Sequence, residues 1–211
     1  GYGTDGAIWG GEVFFNTERV EHLEYTKMLA SDEVSKNADI CLACYDGSNP
    51  LVKSAIEHNI NTVNSSSMGR LFDAVASVLD ICHYNTYEGE CAIALERTAR
   101  KATKAFELTP TLSPKAIIEE IKNANAPNEE IALGFHHMLA RLIVNITKKY
   151  NANQVTLSGG CFNNRILTGT TFELLKQNNI KVYINNKVPS GDQGLCLGQA
   201  YLTALDEQKE V

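Results

Sequence analysis

The segment that most constrains the fold covers residues 154–167, where a short β-branched strand is followed by two adjacent glycines and a helix entered through polar residues. Glycine has no Cβ atom, so Gly159 and Gly160 allow a ligand to approach the backbone closely. The first amides of the helix carry partial positive charge, and Asn163 and Asn164 add neutral hydrogen-bonding groups. The pattern predicts a nucleotide-binding strand-loop-helix. The alternative is that the glycines only form a tight connection between strand and helix.

Strands and helices alternate on both sides of this segment. An apolar stripe predicts a helix from Asn128, as its N-cap, to Lys149. A strand at 181–184 and a last helix from about 194 to 205 follow the glycine segment. Helix and strand in this rhythm imply right-handed crossovers between neighbouring parallel strands.

The first half of the chain divides at about residue 25. Turn residues and two extended stretches, the second at Val20 to Tyr25, open the chain, and the pattern from Thr26 to about Ala126 is helical, with a long candidate helix over 88–106. An antiparallel opening followed by αβαβα is the order of a ribonuclease H-like half of an actin/hexokinase-type ATPase fold. We therefore predict an α/β fold in which 1–25 is the opening β-meander, with the first strand missing, 26–126 is a helical insertion, and 127–211 completes the ribonuclease H-like subdomain.

Charge and hydropathy exclude two classes of partner. The 211 residues carry 19 basic and 25 acidic side chains, a formal net charge of −6, with no stripe rich in Lys or Arg. We expect no nucleic-acid partner, because binding a polyanion needs such a stripe. No apolar run approaches the ~20 residues that span a bilayer, and the amino end lacks signal-peptide features, so a cytoplasmic location without membrane contact is expected.

Six cysteines are scattered through a chain too large to need covalent staples, which predicts reduced thiols without disulfides. Cys41 and Cys44 form a Cys-x-x-Cys pair in an apolar, helical-looking segment. Because no second pair follows at zinc-ribbon spacing, we expect no metal there.

A carboxylate, Asp192, lies on a glycine-punctuated loop after the 181–184 strand and before the last helix. Loops at the carboxyl ends of parallel strands line the ligand crevice of open α/β sheets, so Asp192 is a candidate ligand of a cation or substrate. A plain helix N-cap is the alternative role. We expect the diglycine turn and the Asp192 loop to converge on one cleft.

Six motifs occur in order along nearly the whole chain. They are Gly1-Tyr2-Gly3-x-Asp5-Gly6-x2-Trp9-Gly10-Gly11-Glu12, Ser66-Ser67-Met68-Gly69-Arg70-Leu71-Phe72-Asp73-Ala74-Val75-Ala76, Tyr87-Glu88-Gly89, Phe135-His136 with Leu139-Ala140, Leu157-Ser158-Gly159-Gly160-x-Phe162-x-Asn164-Arg165, and Val188-Pro189-x2-Asp192-x-Gly194-x2-Leu197-Gly198-Gln199-Ala200. Together they resemble HypF, the carbamoyltransferase family of nickel-iron hydrogenase maturation. The resemblance is to the C-terminal part of its TsaD-like domain.

The resemblance implies an activity and its partners. ATP and carbamoyl phosphate would form carbamoyl adenylate in an upstream domain, and the TsaD-like domain would pass the carbamoyl group to the C-terminal cysteine of HypE. No side-chain nucleophile of this chain is needed, so Cys161 is expected to pack, although the neighbouring amides could lower its pKa.

The resemblance also implies site residues. Asp192 would be a ligand of a divalent metal, which could be zinc, iron or magnesium. The nucleotide would be contacted by the glycine loop, and its adenosine by two further motifs; these residues are Gly159, Gly160, Asn163 and Asn164, then Gly69, Asp73, Glu88 and Gly89.

Two departures from the family matter. The paired-histidine metal motif has no counterpart, and the Asp that precedes the opening glycines would lie before residue 1. We expect a fragment with an incomplete metal site, weak nucleotide binding, no turnover alone, and self-association through a truncated face. The alternatives are a transfer-RNA threonylcarbamoyl transferase, which the acidic balance and the Trp9-Gly10-Gly11-Glu12 motif disfavour, and a non-catalytic nucleotide-binding module of the same fold.

Overall fold

The computed structural model describes residues 11–16, 18–30, 34 and 36–207. Most of the opening glycine motif, including Trp9, lies outside the described residues. Within them, three two-stranded sheets are present: β1 (Glu12–Phe15) pairs antiparallel with β2 (Glu18–His22), β3 (Thr26–Leu29) antiparallel with β4 (Thr62–Ser65), and β5 (Gln154–Leu157) parallel with β6 (Lys181–Ile184).

Eight α-helices lie in the described part of the chain. They are α1 (Ala38–Asp46), α2 (Pro50–Glu57), α3 (Met68–Val78), α4 (Glu90–Ala99), α5 (Pro114–Lys122), α6 (Asn128–Lys149), α7 (Arg165–Gln177) and α8 (Leu195–Glu207). Polar residues begin several of them: the Ser67 side chain accepts a hydrogen bond from Arg70 N at the start of α3, and Asn164 accepts from Leu167 N at the start of α7. None of the described helices has both the length and the apolar character that crossing a membrane requires.

Helix α6 connects the two halves of the molecule. Its first half enters a large core with α1, α3, α4 and α5, where Phe135 meets Phe72 edge to face with ring centroids 5.0 Å apart. Its second half contributes Val144 to a smaller core with Leu157 of β5 and Leu175 of α7. The helix therefore fixes the position of the β5-α7-β6 unit against the helical layer.

The predicted α/β class is confirmed, and β6 and the end of α7 fall where the sequence placed them. The prediction that residues 26–126 are helical is wrong in one respect, because β3 and β4 lie inside that range and pair with each other. The candidate helix over 88–106 is shorter, since α4 ends at Ala99. The N-cap of α6 is Pro127 rather than the predicted Asn128. The side-chain amide of Asn128 instead donates from Nδ2 to Leu79 O at 2.7 Å.

Candidate functional site

The diglycine loop begins where β5 ends. Gly159 has φ +100°, a backbone conformation that residues with a Cβ atom rarely adopt, so glycine is required there. A 3-10 turn over Gly160–Asn163 follows, and α7 starts after it. The loop is exposed to solvent at Gly159, Gly160 and Asn163.

A second loop, residues 188–194, packs directly against the first. Gly159 N donates to Ser190 O at 2.7 Å, and Ser190 Oγ donates to Asn163 Oδ1 at 3.0 Å. A Cβ atom on Gly191 would lie 3.5 Å from Gly160 Cα, in ordinary van der Waals contact, so the two loops approach closely at these glycines. The diglycine turn and the Asp192 loop therefore lie side by side.

An open cavity of about 250 Å³ lies between the two loops and the ends of the parallel strands. Its polar lining includes Asn163, Asn185 and Ser190. Asp192 is exposed and begins the 3-10 turn Asp192–Gly194, whose cap position is Gly191 and which has no side-chain cap hydrogen bond. The N-cap role considered for Asp192 is therefore not seen.

The amide of Asn164 is held at both ends within the protein. Its Oδ1 accepts from Leu167 N at 2.9 Å, which caps α7, and its Nδ2 lies 2.9 Å from Nε2 of His136 on α6. With the side chain engaged in this way, Asn164 acts by positioning the loop and the start of α7. Contact between Asn164 and a nucleotide stays a prediction.

His136 is fully buried and its hydrogen bonds define its tautomer. Nδ1 lies 2.7 Å from Ala132 O, a carbonyl that can only accept, so Nδ1 carries the proton and Nε2 accepts from the Asn164 amide. Burial lowers the pKa of His136 to about 4, because charging the ring in an apolar core is unfavourable. His136 is therefore a neutral acceptor at pH 7.

The amino end of α7 already has an anionic partner. Arg165 N, the first amide of the helix, donates to Glu96 Oε1 of α4 at 3.2 Å, and Arg100 pairs with the same carboxylate. The sequence alone predicts ligand-facing positive charge at the opening amides of this helix. In the structure a 3-10 turn precedes α7, and the cavity is lined by Asn163 of that turn and Thr168 of α7, not by Arg165 at the helix start.

Cys161, inside the 3-10 turn, is half-buried against the large core. Burial raises the pKa of its thiol to about 11, and the Arg70 guanidinium opposes this only in part. The suggestion that neighbouring amides lower this pKa was wrong, because desolvation of the thiolate dominates. A thiol that stays protonated at pH 7 fits the packing role expected for Cys161.

The residues expected near adenosine form a second group where α3 approaches α4. Asp73 is buried and pairs with Arg70 at 2.9 Å. Burial raises the pKa of Asp73 to about 6, while the Arg70 charge and a hydrogen bond to Asn85 oppose the rise. Glu88 is exposed, and Gly89, with φ +77°, is the cap residue of α4.

One observation connects this second group to the glycine loop. The charges of Arg70 and Asp73 both act on the Cys161 thiol, which places them close to the 3-10 turn. Gly69, in the first turn of α3, leaves room beside the Ser67 hydroxyl, the nearest atom to a Cβ there at 3.8 Å. Arg70 Nη1 is buried without a hydrogen-bond partner in the described structure. The second group thus lies on the α3 side of the same loop.

The side chains present do not form a complete metal site. No group of three or more His, Cys, Asp or Glu residues with metal-binding geometry occurs in residues 11–16, 18–30, 34 and 36–207. Asp192 can supply carboxylate oxygen only, which is fewer ligands than a bound zinc, iron or magnesium ion needs. We therefore derive no chemical step through a metal.

Fold and site together define the class: an α/β, ribonuclease H-like half of an actin/hexokinase-type domain with a glycine loop at the carboxyl end of a parallel strand. The chain belongs to the HypF family, because the family model described as carbamoyltransferase, Kae1-like domain, second subdomain, matches residues 1–199. The six sequence motifs had indicated this membership, and it is confirmed.

Relatives and solved structures agree with this assignment. The chain is 28% identical over 94% of its length to the carbamoyltransferase HypF of Synechocystis sp. (strain PCC 6803) and 30% identical over 97% to that of Rhodobacter capsulatus. It spans 32% and 31% of those two proteins.

Two HypF crystal structures are also similar. Full-length HypF in its phosphate- and nucleotide-bound form superposes with a TM-score of 0.80, at 29% identity over 94% of this chain and 37% of that one. T. kodakarensis HypF gives a TM-score of 0.83, at 26% identity over 99% of this chain and 33% of that one.

The roles of three site residues were not predicted from sequence. Ser190 ties the two loops together, His136 orients Asn164, and Glu96 occupies the start of α7. His136 stood in a recognised motif, but its role depends on a partner 28 positions away in sequence. Nothing local to Ser190 or Glu96 signals a contact with the glycine loop.

Proposed function

We propose that the protein carrying this chain is a carbamoyltransferase that passes a carbamoyl group from carbamoyl adenylate to the C-terminal cysteine of HypE. Carbamoyl adenylate would be made from carbamoyl phosphate and ATP in another part of the protein, since this chain spans about a third of the relatives it matches. The transfer would serve the synthesis of the cyanide ligand of nickel-iron hydrogenases. Membership of the HypF family and a HypF structure with bound nucleotide support the proposal.

One observation supports the site more than any other: the 188–194 loop packs on the diglycine loop around an open polar cavity. When a thiolate attacks carbamoyl adenylate, negative charge develops on the carbonyl oxygen and on the departing AMP. Fixed donors that face this charge stabilise the transition state more than the ground state. The amide of Asn163 lines this cavity and suits that task, and the exposed backbone of Gly160 belongs to the same 3-10 turn.

The remaining residues have distinct parts in the proposal. His136 and Asn164 hold the loop and α7 in place. Gly69, Asp73, Glu88 and Gly89 would contact the adenosine, and Asp192 would add one oxygen to a divalent metal whose other ligands lie outside the described residues.

Nucleotide binding is tested by two glycine substitutions in the full-length protein. A Cβ atom at Gly160 or at Gly169 of α7 meets nothing within 4 Å, so both alanine variants should fold. Only Gly160 adjoins the proposed nucleotide. We expect Gly160→Ala to raise the ATP Kd about tenfold, a loss of about 1.4 kcal/mol, and Gly169→Ala to leave it unchanged. Isothermal titration measures both, and equal affinities for the two variants would contradict the assignment.

Carbamoyl transfer is tested at the neighbouring loop. Asp192 and Gln193 are both exposed on the same 3-10 turn, so Gln193→Ala is a matched control for Asp192→Ala. We expect Asp192→Ala to lower the rate of carbamoyl addition to HypE roughly 100-fold, the usual order for losing a metal ligand or its support. Mass spectrometry of the HypE C-terminal peptide measures the product. Full activity of Asp192→Ala would refute the role of this loop.

Self-association stays a prediction. Leu197, Tyr201 and Leu202 of α8 are each more than half exposed, which is unusual for apolar side chains on one helix. This is the surface through which copies of the isolated chain would associate. Light scattering of the isolated chain would show oligomers that a Tyr201→Lys, Leu202→Lys double variant reduces, whereas a monomer at all concentrations would contradict the prediction.

A further inference from the structure

Two cysteines lie in contact beside the residues expected near adenosine. Cys82 follows α3 and Cys91 is the second residue of α4. Their Sγ atoms are 2.9 Å apart, with the Cys91 thiol donating to the Cys82 sulfur. Both are free thiols in the structure. A disulfide requires an S–S separation of about 2.05 Å, so the sulfurs are within about 0.9 Å of bonding distance.

The backbone holds both cysteines in place. Cys91 N donates to Asn85 Oδ1 at 2.8 Å, and Asn85 N donates to Lys36 O at 2.6 Å, which ties the intervening segment to the residues before α1. Cys82 N donates to Ala76 O at the end of α3. With both ends anchored, forming a bond between the sulfurs needs little chain reorganisation.

The two thiols differ in exposure. Cys91 is fully buried, and burial together with its hydrogen bond to Cys82 raises its pKa, so it keeps its proton. Cys82 is only partly buried, so a small oxidant reaches it first. The arrangement pairs an accessible sulfur with a buried sulfur that can resolve the product, which is the usual layout of an oxidisable dithiol.

We propose that Cys82 and Cys91 form a reversible oxidation site that closes to a disulfide when the protein meets a hydroperoxide. The Cys82 thiolate attacks the peroxide oxygen, the O–O bond breaks, and Cys82 becomes a sulfenic acid with release of water or alcohol. The Cys91 sulfur then attacks the Cys82 sulfur and displaces its hydroxyl, which leaves as water with the Cys91 proton. The two sulfurs together lose two electrons, which reduce the peroxide.

Closing this bond would act on the segment between the cysteines. That segment contains Asn85, which is hydrogen-bonded to Asp73, together with Glu88 and Gly89. Shortening the Sγ–Sγ distance pulls the start of α4 toward the end of α3 and changes this arrangement. The effect on nucleotide affinity rests on the proposed function, whereas formation of the disulfide does not.

Peptide mapping of the full-length protein after treatment with one equivalent of hydrogen peroxide tests the site. Both cysteines fall in one tryptic peptide, 71–97, so a further cleavage after Glu88 or Glu90 is needed to separate them. We expect a peptide pair linked between Cys82 and Cys91, lighter by two hydrogens and released by dithiothreitol. Sulfinic acid at Cys82 with Cys91 still reduced, or a link from either residue to another cysteine, would overturn the proposal.

Variants separate the two sulfur roles. Cys91→Ser should leave a Cys82 sulfenic acid that dimedone labels, and Cys82→Ser should leave Cys91 unmodified. Cys44→Ser, a half-buried cysteine on α1, is the control and should link as the wild type does. Dimedone labelling of Cys91 in Cys82→Ser would contradict the assigned order, and the wild-type map does not depend on the folding of any variant.

A separate titration tests the coupling to the nucleotide site. We expect the oxidised protein to bind ATP at least threefold more weakly than the reduced protein, with full recovery after dithiothreitol. Equal affinities would refute the coupling. If the reduced protein binds no ATP, the proposed function fails, while the peptide map alone decides the oxidation site.

Discussion

Replacing His136 by Phe removes the acceptor for the Asn164 amide with little change in shape. The centroid of the His136 ring lies 5.5 Å from that of Phe72 and 5.9 Å from that of Phe135, so an apolar ring fits this environment. The change leaves Asn164 Nδ2 buried without a partner, which costs about 1–3 kcal/mol. Any loosening of the α7 cap adds up to about 1 kcal/mol. We therefore expect His136→Phe to lower the free energy of unfolding by roughly 2–3 kcal/mol.

A double-mutant cycle in urea unfolding measures this interaction. Asn164→Ala removes the donor, so adding His136→Phe to it should cost less than about 0.5 kcal/mol, and the coupling energy should approach 2 kcal/mol. His136→Gln is the conservative control, because its side-chain oxygen can accept the same hydrogen bond. Hydrogen exchange at the first amides of α7 should speed up in His136→Phe and stay slow in His136→Gln. Additive effects of His136→Phe and Asn164→Ala would refute the account.

The same residue predicts a pH dependence. Its pKa falls from 6.5 to about 4 on folding, so the unfolded chain binds more protons between these values. This contribution to stability is present above pH 6.5 and is lost as pH falls toward 4, by about 3 kcal/mol in total. The raised pKa of Asp73 changes stability with pH in the opposite direction, but this contribution is the same in wild type and variant. His136→Gln should therefore lose less stability than wild type on acidification, and parallel pH profiles would contradict this.

Other predictions concern packing and a charged cluster. Gly134→Ala places a Cβ atom 2.1 Å from Phe106 O and should destabilise the protein by about 3 kcal/mol. Gly169→Ala, also inside a helix but with nothing within 4 Å, should stabilise it by about 1 kcal/mol; thermal unfolding that fails to move the two in opposite directions would refute the contrast. His83 lies 2.7 Å from a carboxylate oxygen of Asp39 and 2.7 Å from one of Asp80, and these contacts raise the pKa of His83. The stabilisation that the charged His83 gives the folded protein is therefore lost as pH rises through that raised pKa. Asp39→Asn should lower the His83 pKa measured by NMR, and an unchanged value would exclude the bridge.

Much of the β5-α7-β6 unit could be predicted because its signals are local. The stripe of α6, the two glycines and the β-branched strand each depend on neighbours a few positions apart. Strands β3 and β4 could not be found in this way, because four residues are too few to show alternation and their partners lie about 36 positions apart. Their pairing is a tertiary effect that overrode the helical pattern around them.

The same division holds in the site. Gly159, Gly160 and Asn163 could be selected from sequence, since a strand followed by two glycines has few local structures open to it. Three other features of the site could not be predicted from sequence: the burial that raises the Cys161 pKa, the neutral state of His136, and the carboxylate at the start of α7. Each depends on which side chains from distant parts of the chain pack against the group.

The sequence by itself determined the family, the α/β class and the identity of the glycine loop, because these depend on residue types and spacings along the chain. Tertiary structure alone decided that the 188–194 loop packs on that loop, that Asn164 is held by His136, and that Cys82 touches Cys91. Contacts of this kind join residues far apart in sequence, and their energies come from burial and geometry that no local pattern encodes.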